Sequence, residues 1–282
     1  MDLMNFGGIE EQLADYDFAR AVIIPIPFDA TSTWIKGADR GPEAILEASA
    51  NMELFDIPTQ TEVYLKGIHT MEPIAITDDP AIMTEEAEEV VEQVLRDHKL
   101  PIVIGGNHSV CIGPIRASAR HFGEITVIQI DAHTDLRQSY EGSPLSHASV
   151  MARAQEVARV VQVGIRSMCA EELPYLIPER VFYAQDITGR NDWYQEAARQ
   201  IRGPVYITID LDGFDPSILP STGTPEPGGL TYFEVYNFLS YVIRNHQVVG
   251  FDVNELCPNP EDRSSDFLAS KLIYQLISLI IK

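Results

Sequence analysis

The sequence predicts an α/β fold in which a mainly parallel sheet is covered on both faces by helices. Short β-branched runs alternate along the chain with longer segments whose apolar residues recur at helical spacing. The short runs are apolar at consecutive positions, as strands buried on both faces must be. With 282 residues and 45% hydrophobic composition the chain can bury a large core. No internal repeat, low-complexity tract or Gly/Ser linker divides it, so residues 1–282 read as a single domain.

Taken in order, the chain opens with an acidic leader, MDLMNFGGIEEQLADYDFAR, which lacks the basic region and apolar core of a secretory signal. AVIIPIPF (21–28) reads as the first buried strand and GPEAILEAS (41–49) as a helix. TEEAEEVVEQVLRDH (84–98) is helical and leads into the strand PIVIGG (101–106). The helix VCIGPIRASARHF (110–122) then precedes the strand ITVIQID (125–131). A long loop containing QSYEGSPLS (138–146) separates that strand from the helical HASVMARAQEVA (147–158) and the strand VVQVGI (160–165). VYITIDLD (205–212) is the next clear strand, followed by the turn-rich loop GFDPSILPSTGTPEPGG (213–229) and the helix TYFEVYNFLSYVIRN (231–245). VVGFDVNEL (248–256) is the last strand. The apolar stretch from Phe267 to Ile281 is broken by Lys271 and polar residues and is too short to span a bilayer, so it reads as a packed C-terminal helix.

Composition narrows the partners. Acidic residues outnumber basic ones 42 to 20, a formal net charge of -22 that repels nucleic acid and anionic membranes. Cys111, Cys169 and Cys257 form no CxxC pair and no even-numbered framework, which suits a reduced compartment, and a cytoplasmic location is expected.

Three strand ends carry the chemistry. ITVIQID runs into Asp131, His133 and Asp135, at alternating positions; VYITIDLD ends in Asp210 and Asp212, two apart and on one face; PIVIGG delivers His108 two residues beyond a Gly-Gly turn. In an open parallel sheet such ends line the ligand crevice. Taken singly, an Asp after a strand is most often a turn former or a helix N-cap. The set is different, because four carboxylates gathered with two imidazoles demand neutralisation, and two divalent cations would supply it. Nitrogen and oxygen ligands without Cys suit Mn, Fe, Co, Ni or Zn. Asp215, before Pro216, reads as a turn residue ordering the 213–229 loop; His69, His98, His121 and His246 read as surface or helix-end residues; Gly105 and Gly106 read as a tight turn.

GGNHS (105–109), DAHTD (131–135), SHASV (146–150), DLDGFDP (210–216) and DVNELCP (252–258), in this order, resemble the ureohydrolases, the arginase and agmatinase family. PFDATSTWIKGADRGPEAILEAS (27–49) also looks like its counterpart there, so the similarity runs from about Ala19 onward. The resemblance implies a three-layer αβα sandwich and two Mn2+ ions per subunit, with His108 and Asp135 on one ion, His133 and Asp212 on the other, and Asp131 and Asp210 bridging both. Such a pair lowers the pKa of a bridging water toward roughly 7 and makes hydroxide available to attack a guanidinium carbon. The resemblance further implies that Glu255 orients the guanidinium and that His147 shuttles a proton to the leaving amine, so that His147, Glu255 and Asp135 form the catalytic set. It also implies a homo-oligomer, trimer or hexamer.

Two positions depart from the family pattern. Many members carry an acidic residue where this chain has Asn107, and arginases commonly carry an Asn at the position of Arg137, whereas the DAHTDLR form resembles the agmatinases. Arg137 and Glu141 are the charged candidates for contacting the far end of a substrate, Arg137 suiting a carboxylate and Glu141 an amine. The expected activity is therefore manganese-dependent hydrolysis of agmatine to putrescine and urea. The alternatives are another small guanidino substrate (guanidinobutyrate, guanidinopropionate or arginine), a non-catalytic metal-binding relative, and a dinuclear phosphoesterase, which the absence of an accompanying Arg/Lys cluster disfavours.

Overall fold

A computed structural model of the chain describes residues 4–74 and 77–281; the first three residues of the acidic leader lie outside the described residues. The helices are α1 (Glu11–Ala14), α2 (Gly41–Ser49), α3 (Pro80–Arg96), α4 (Ile112–Phe122), α5 (Val150–Ala154), α6 (Ala184–Ile187), α7 (Tyr194–Arg199), α8 (Tyr232–Asn245) and α9 (Ser264–Ile280). The strands are β1 (Ala21–Ile26), β2 (Ile68–Thr70), β3 (Leu100–Gly105), β4 (Thr126–Ile130), β5 (Arg159–Ile165), β6 (Val181–Tyr183), β7 (Val205–Asp210) and β8 (Val248–Asn254). They form one eight-stranded sheet in the order β2-β1-β3-β8-β7-β4-β5-β6, every pair parallel.

The strands form because their runs are apolar toward both faces. Even positions of β4 and odd positions of β7, such as Ile128, Ile130, Ile207 and Ile209, bury one face together with α2, α8 and α9. The opposite face carries two separate apolar clusters, one built from β1, β3 and α3 and the other from β4, β5, α4 and α5. Helices on both sides of a parallel sheet make the three-layer αβα sandwich. Local signals fix the helix ends: Asp79 Oδ1 accepts the Ala81 amide with Pro80 in the first turn of α3, and Thr231 and Glu234 form a capping box at the start of α8. Among the described residues no helix is long and apolar enough to cross a membrane.

The sheet order positions the site. β7 and β8, late in sequence, insert between β3 and β4, so the ends of β3, β8, β7 and β4 become neighbours. Their register is level: Ile104 pairs with Val253, Val253 with Ile209, and Ile209 with Ile130. The residues just past these four positions therefore emerge side by side at the carboxyl edge, where the chain reverses its direction of winding.

The expected Gly-Gly turn has a different physical basis. Neither glycine adopts a positive φ. A Cβ on Gly106 would stand 2.0 Å from the carbonyl oxygen of Phe28, and one on Gly105 would stand 2.0 Å from Asn254 Oδ1. These positions need glycine for close approach of the backbone to its neighbours. His69 also departs from its expected surface role: it lies in β2, half-buried, with Nδ1 2.7 Å from the Ala14 carbonyl oxygen.

Candidate active site

The three strand ends named from the sequence converge. Asp131, His133 and Asp135 follow β4, Asp210 closes β7 with Asp212 beyond it, and His108 follows β3. His108 Nδ1 lies 2.9 Å from Asp135 Oδ2, 3.2 Å from Asp131 Oδ2 and 3.5 Å from Asp210 Oδ2. His133 Nδ1 lies 3.0 Å from Asp212 Oδ2 and 3.6 Å from Asp131 Oδ1. Two ligand-competent groups result, His108–Asp131–Asp210 and Asp131–His133–Asp212, which share Asp131. All of these side chains except His133 are buried.

The tautomer of His108 follows from its surroundings. Nε2 lies 2.8 Å from Thr208 Oγ1, and the Thr208 hydroxyl donates to Asp252 Oδ1 at 2.6 Å. With the hydroxyl proton committed to Asp252, Nε2 must be the donor, which leaves Nδ1 facing the carboxylates as a lone pair when the ring is neutral.

The electrostatics show an array whose negative charge the protein leaves uncompensated. Burial and the neighbouring Asp131 push Asp135 up to about 7. Burial, with Asp212 and Asp131 beside it, raises Asp210 well above the usual carboxylate range. Burial would raise Asp131, but His108 and His133 hold it below that range. Burial would lower His133, but Asp212 and Asp131 push it up to about 12. Carboxylates that retain protons and imidazoles that gain them are the response of a crowded acidic pocket short of positive charge. Divalent cations supply that charge, and the nitrogen and oxygen donors fit them. A third group, His108, Cys111 and Asp252, lies deeper. Burial and Asp252 push the Cys111 thiol up to about 11, and a protonated thiol is a poor ligand.

A cavity of about 460 Å³ opens over the array, and Glu255, His147, Arg137 and Tyr140 line it with the candidate ligands. Glu255 follows β8 at φ 69°, its amide donating to the Gly106 carbonyl at 2.7 Å while Oε1 accepts the His108 amide at 2.7 Å. Oε2 is left for a ligand. Burial pushes this carboxyl up to about 8. His147 donates its amide to Thr31 Oγ1 at 3.2 Å and packs edge-on to Tyr140, ring centroids 5.7 Å apart. Burial and the positive charge of His108 draw its pKa down to about 4, so the ring is neutral at physiological pH.

A family model for arginases matches residues 19–278. The chain belongs to the arginase family. It is 39% identical to the N(1)-aminopropylagmatine ureohydrolase of a Synechocystis species over 95% of this chain and 91% of that protein. It is 30% identical to an agmatinase of Pyrococcus horikoshii over 99% of both chains. The crystal structure of the agmatine ureohydrolase of Thermoplasma volcanium superposes with a TM-score of 0.88 at 30% identity, covering 99% of this chain and 95% of that one. The protein is thus a ureohydrolase, an enzyme acting on linear amidines, and its substrates belong to the guanidino compounds.

Within this family frame the charged loop residues separate. Arg137 lines the cavity with its guanidinium over the Tyr140 ring, 4.7 Å from the centroid. Glu141 does not line the cavity: it sits exposed, at φ 48°, in the turn closed by the Tyr140–Ser143 bridge. Asn107 caps the turn after β3 by accepting the Ser109 amide, and its own amide donates to Thr31 Oγ1 at 2.9 Å and Ser32 Oγ at 3.3 Å. A carboxylate could not make those two donations. Asp215 accepts the amides of Ser217, Gly228 and Gly229 and so orders the 213–229 loop.

Sequence reasoning missed the groups that hold the site from below. Gln162, Gln129, Thr208 and Asp252 lie at one register across β5, β4, β7 and β8 as a buried polar row. Gln129 Nε2 donates to Asp131 Oδ2 at 2.6 Å, and Gln162 Nε2 donates to Gln129 Oε1 at 2.6 Å. The available signal was a polar residue two positions before three of the strand ends, inside runs otherwise apolar. Glu172, buried, accepts from the Thr134 hydroxyl and the Leu136 and Cys169 amides and so fixes the DAHTDLR loop.

Proposed function

We propose that the chain releases urea from a guanidino group carried by an aliphatic amine, N(1)-aminopropylagmatine or agmatine, using two manganese ions held by His108, Asp131, His133, Asp135, Asp210 and Asp212. The observation that carries this reading is the free Oε2 of a buried Glu255 beside a four-carboxylate, two-imidazole array in one cleft. When bound, two divalent ions lower the pKa of water enough to supply hydroxide at neutral pH. The residues do the rest. Glu255 accepts in-plane N–H donors of the guanidinium and aims its carbon at the array. Breaking the bond between that carbon and the chain nitrogen leaves the nitrogen in need of a proton; His147, lining the same cleft and neutral beforehand, takes the proton that the added water brings to the carbon and passes it to that nitrogen. The relative named for N(1)-aminopropylagmatine extends the expected substrate from agmatine to its aminopropyl derivative. By family likeness we also read the chain as a single domain that assembles into a trimer or hexamer in the cytoplasm.

A urea-release screen of N(1)-aminopropylagmatine, agmatine, arginine and guanidinobutyrate with manganese present tests this. The expected result is kcat/KM for the two amines at least about 100-fold above that for arginine, roughly 2.7 kcal/mol in transition-state binding. Arg137 is the specific observation behind a second reading, since its guanidinium in the cleft could clamp a carboxylate. Faster cleavage of guanidinobutyrate than of either amine would establish that reading and overturn the amine assignment.

A further inference from the structure

Trp34 is 77% exposed, the largest apolar side chain so displayed among the described residues, and it lines the rim of the catalytic cavity together with Ser32, Thr33 and Ile35. Scattered exposed apolar residues are ordinary, but an indole on the rim of a ligand cleft presents a large hydrophobic face where a bound molecule can cover it. The loop carrying it is pinned. Asp29 Oδ2 accepts the Gly37 amide at 2.7 Å, Asn107 donates to Thr31 and Ser32, and Thr31 Oγ1 accepts the His147 amide. Trp34 is thereby fixed relative to the floor of the site through the two residues, Asn107 and His147, that adjoin it.

The charges of the cleft decide which molecules that face suits. The Tyr140 wall is cationic, because Arg137 lies over its ring. An amine tail leaving Glu255 is repelled from that side. The Trp34 loop presents no cation to the cleft: Lys36, its own basic residue, has Nζ 3.5 Å from the Asp29 carbonyl and lines a different cavity. Trp34 is then the aromatic face available to alternating methylene and ammonium groups, which pack on an indole through apolar contact and cation–π attraction. We propose that Trp34 recognises the amine tail beyond the guanidino group and sets a preference for an extended polyamine chain over a short one. This rests on the amine-substrate reading above.

The test is the ratio of kcat/KM for N(1)-aminopropylagmatine to that for agmatine in the parent, Trp34→Ala and Trp34→Phe. The ratio should fall about tenfold in Trp34→Ala and recover to within about threefold of the parent in Trp34→Phe, as expected for a cation–π contact of ordinary strength. A second measurement needs no turnover. The only other tryptophan, Trp193, is 7% exposed, so acrylamide quenching reports mainly on Trp34. Spermidine, the triamine left when N(1)-aminopropylagmatine loses urea, should protect the parent saturably and leave Trp34→Phe unaffected. A ratio in Trp34→Ala within twofold of the parent, or quenching unchanged by spermidine, overturns the proposal. So does an indole already shielded in the free protein, which would mean that a second copy of the chain covers it. Failure of every guanidino compound to release urea would instead sink the functional reading, and the quenching measurement would still decide the role of Trp34.

Discussion

Asp135 and Glu255 both hold left-handed backbone, φ 50° and 69°, a conformation that costs a non-glycine residue about 1–2 kcal/mol. Each is held there by what surrounds it: the Asp135 carbonyl accepts the Met151 and Ala152 amides, and Glu255 is clasped between Gly106 and His108. The strain turns both carboxylates into the cleft. His147 is under no such constraint, and its replacement separates proton delivery from metal binding. His147→Asn is expected to retain full metal content while turnover falls by about 10²- to 10⁴-fold. Asp131→Asn is expected to lose metal and turnover together, because Asp131 lies in both ligand groups. Metal analysis alongside single-turnover kinetics checks both, and full kcat in His147→Asn across neutral pH would remove it from the mechanism. The six converging side chains are legible in the sequence because strand parity places them at run ends. Gln129, Thr208 and Asp252 are not, since a buried polar residue inside an apolar run acquires meaning only when the neighbouring strand is known.

At the scale of elements, the long runs declare themselves and the short ones do not. β1, β3, β4, β5, β7 and β8 each hold five to seven buried residues and are legible as strands. β2 and β6, three residues each at the two sheet edges, carry too little pattern to be seen. The sheet order is equally invisible from local pattern, because it depends on β7 and β8 entering between β3 and β4. The 213–229 loop was conspicuous for its turn residues, but not the side chain that fastens it. Arg166 donates to the carbonyls of Asp212, Gly213, Phe214, Glu226 and Pro227, and to that of Gly164 in β5, the strand it follows. A fork of donors fits this cage of carbonyls in a way one ammonium cannot. Arg166→Lys should lose several of these bonds and about 2 kcal/mol, seen as a fall in Tm of about 4–8 °C. It should also weaken metal retention through Asp212. An unchanged Tm would show that the loop holds itself.

For the whole molecule the governing quantity is charge. A net charge of -22 and a buried acidic array both oppose the ionised, metal-free protein as pH rises. Asp135 at about 7, Asp252 at about 6 and Glu255 at about 8 all lie above their ordinary values, each chiefly through burial. The folded state therefore binds these protons more tightly than the unfolded state, and the stability they contribute is present at low pH and lost as pH rises through those values. His133, pushed up to about 12 against the effect of burial by Asp212 and Asp131, acts in the same sense: its contribution is complete below 6.5 and declines above it. Bound cations displace the protons of the ligands among these, Asp135 and His133, at about 1.4 kcal/mol per pH unit for each one released, so the rise in Tm on adding manganese should be larger at pH 8 than at pH 6. Equal increments at the two pH values would mean that the ions bind elsewhere. The most direct test of the central claim, that this six-ligand array is a dinuclear hydrolytic centre, is urea release from agmatine and N(1)-aminopropylagmatine as dialysed protein is titrated with manganese. The account predicts negligible release without metal and a rate that saturates at two equivalents per chain; full activity without metal, or saturation at one equivalent, would contradict it.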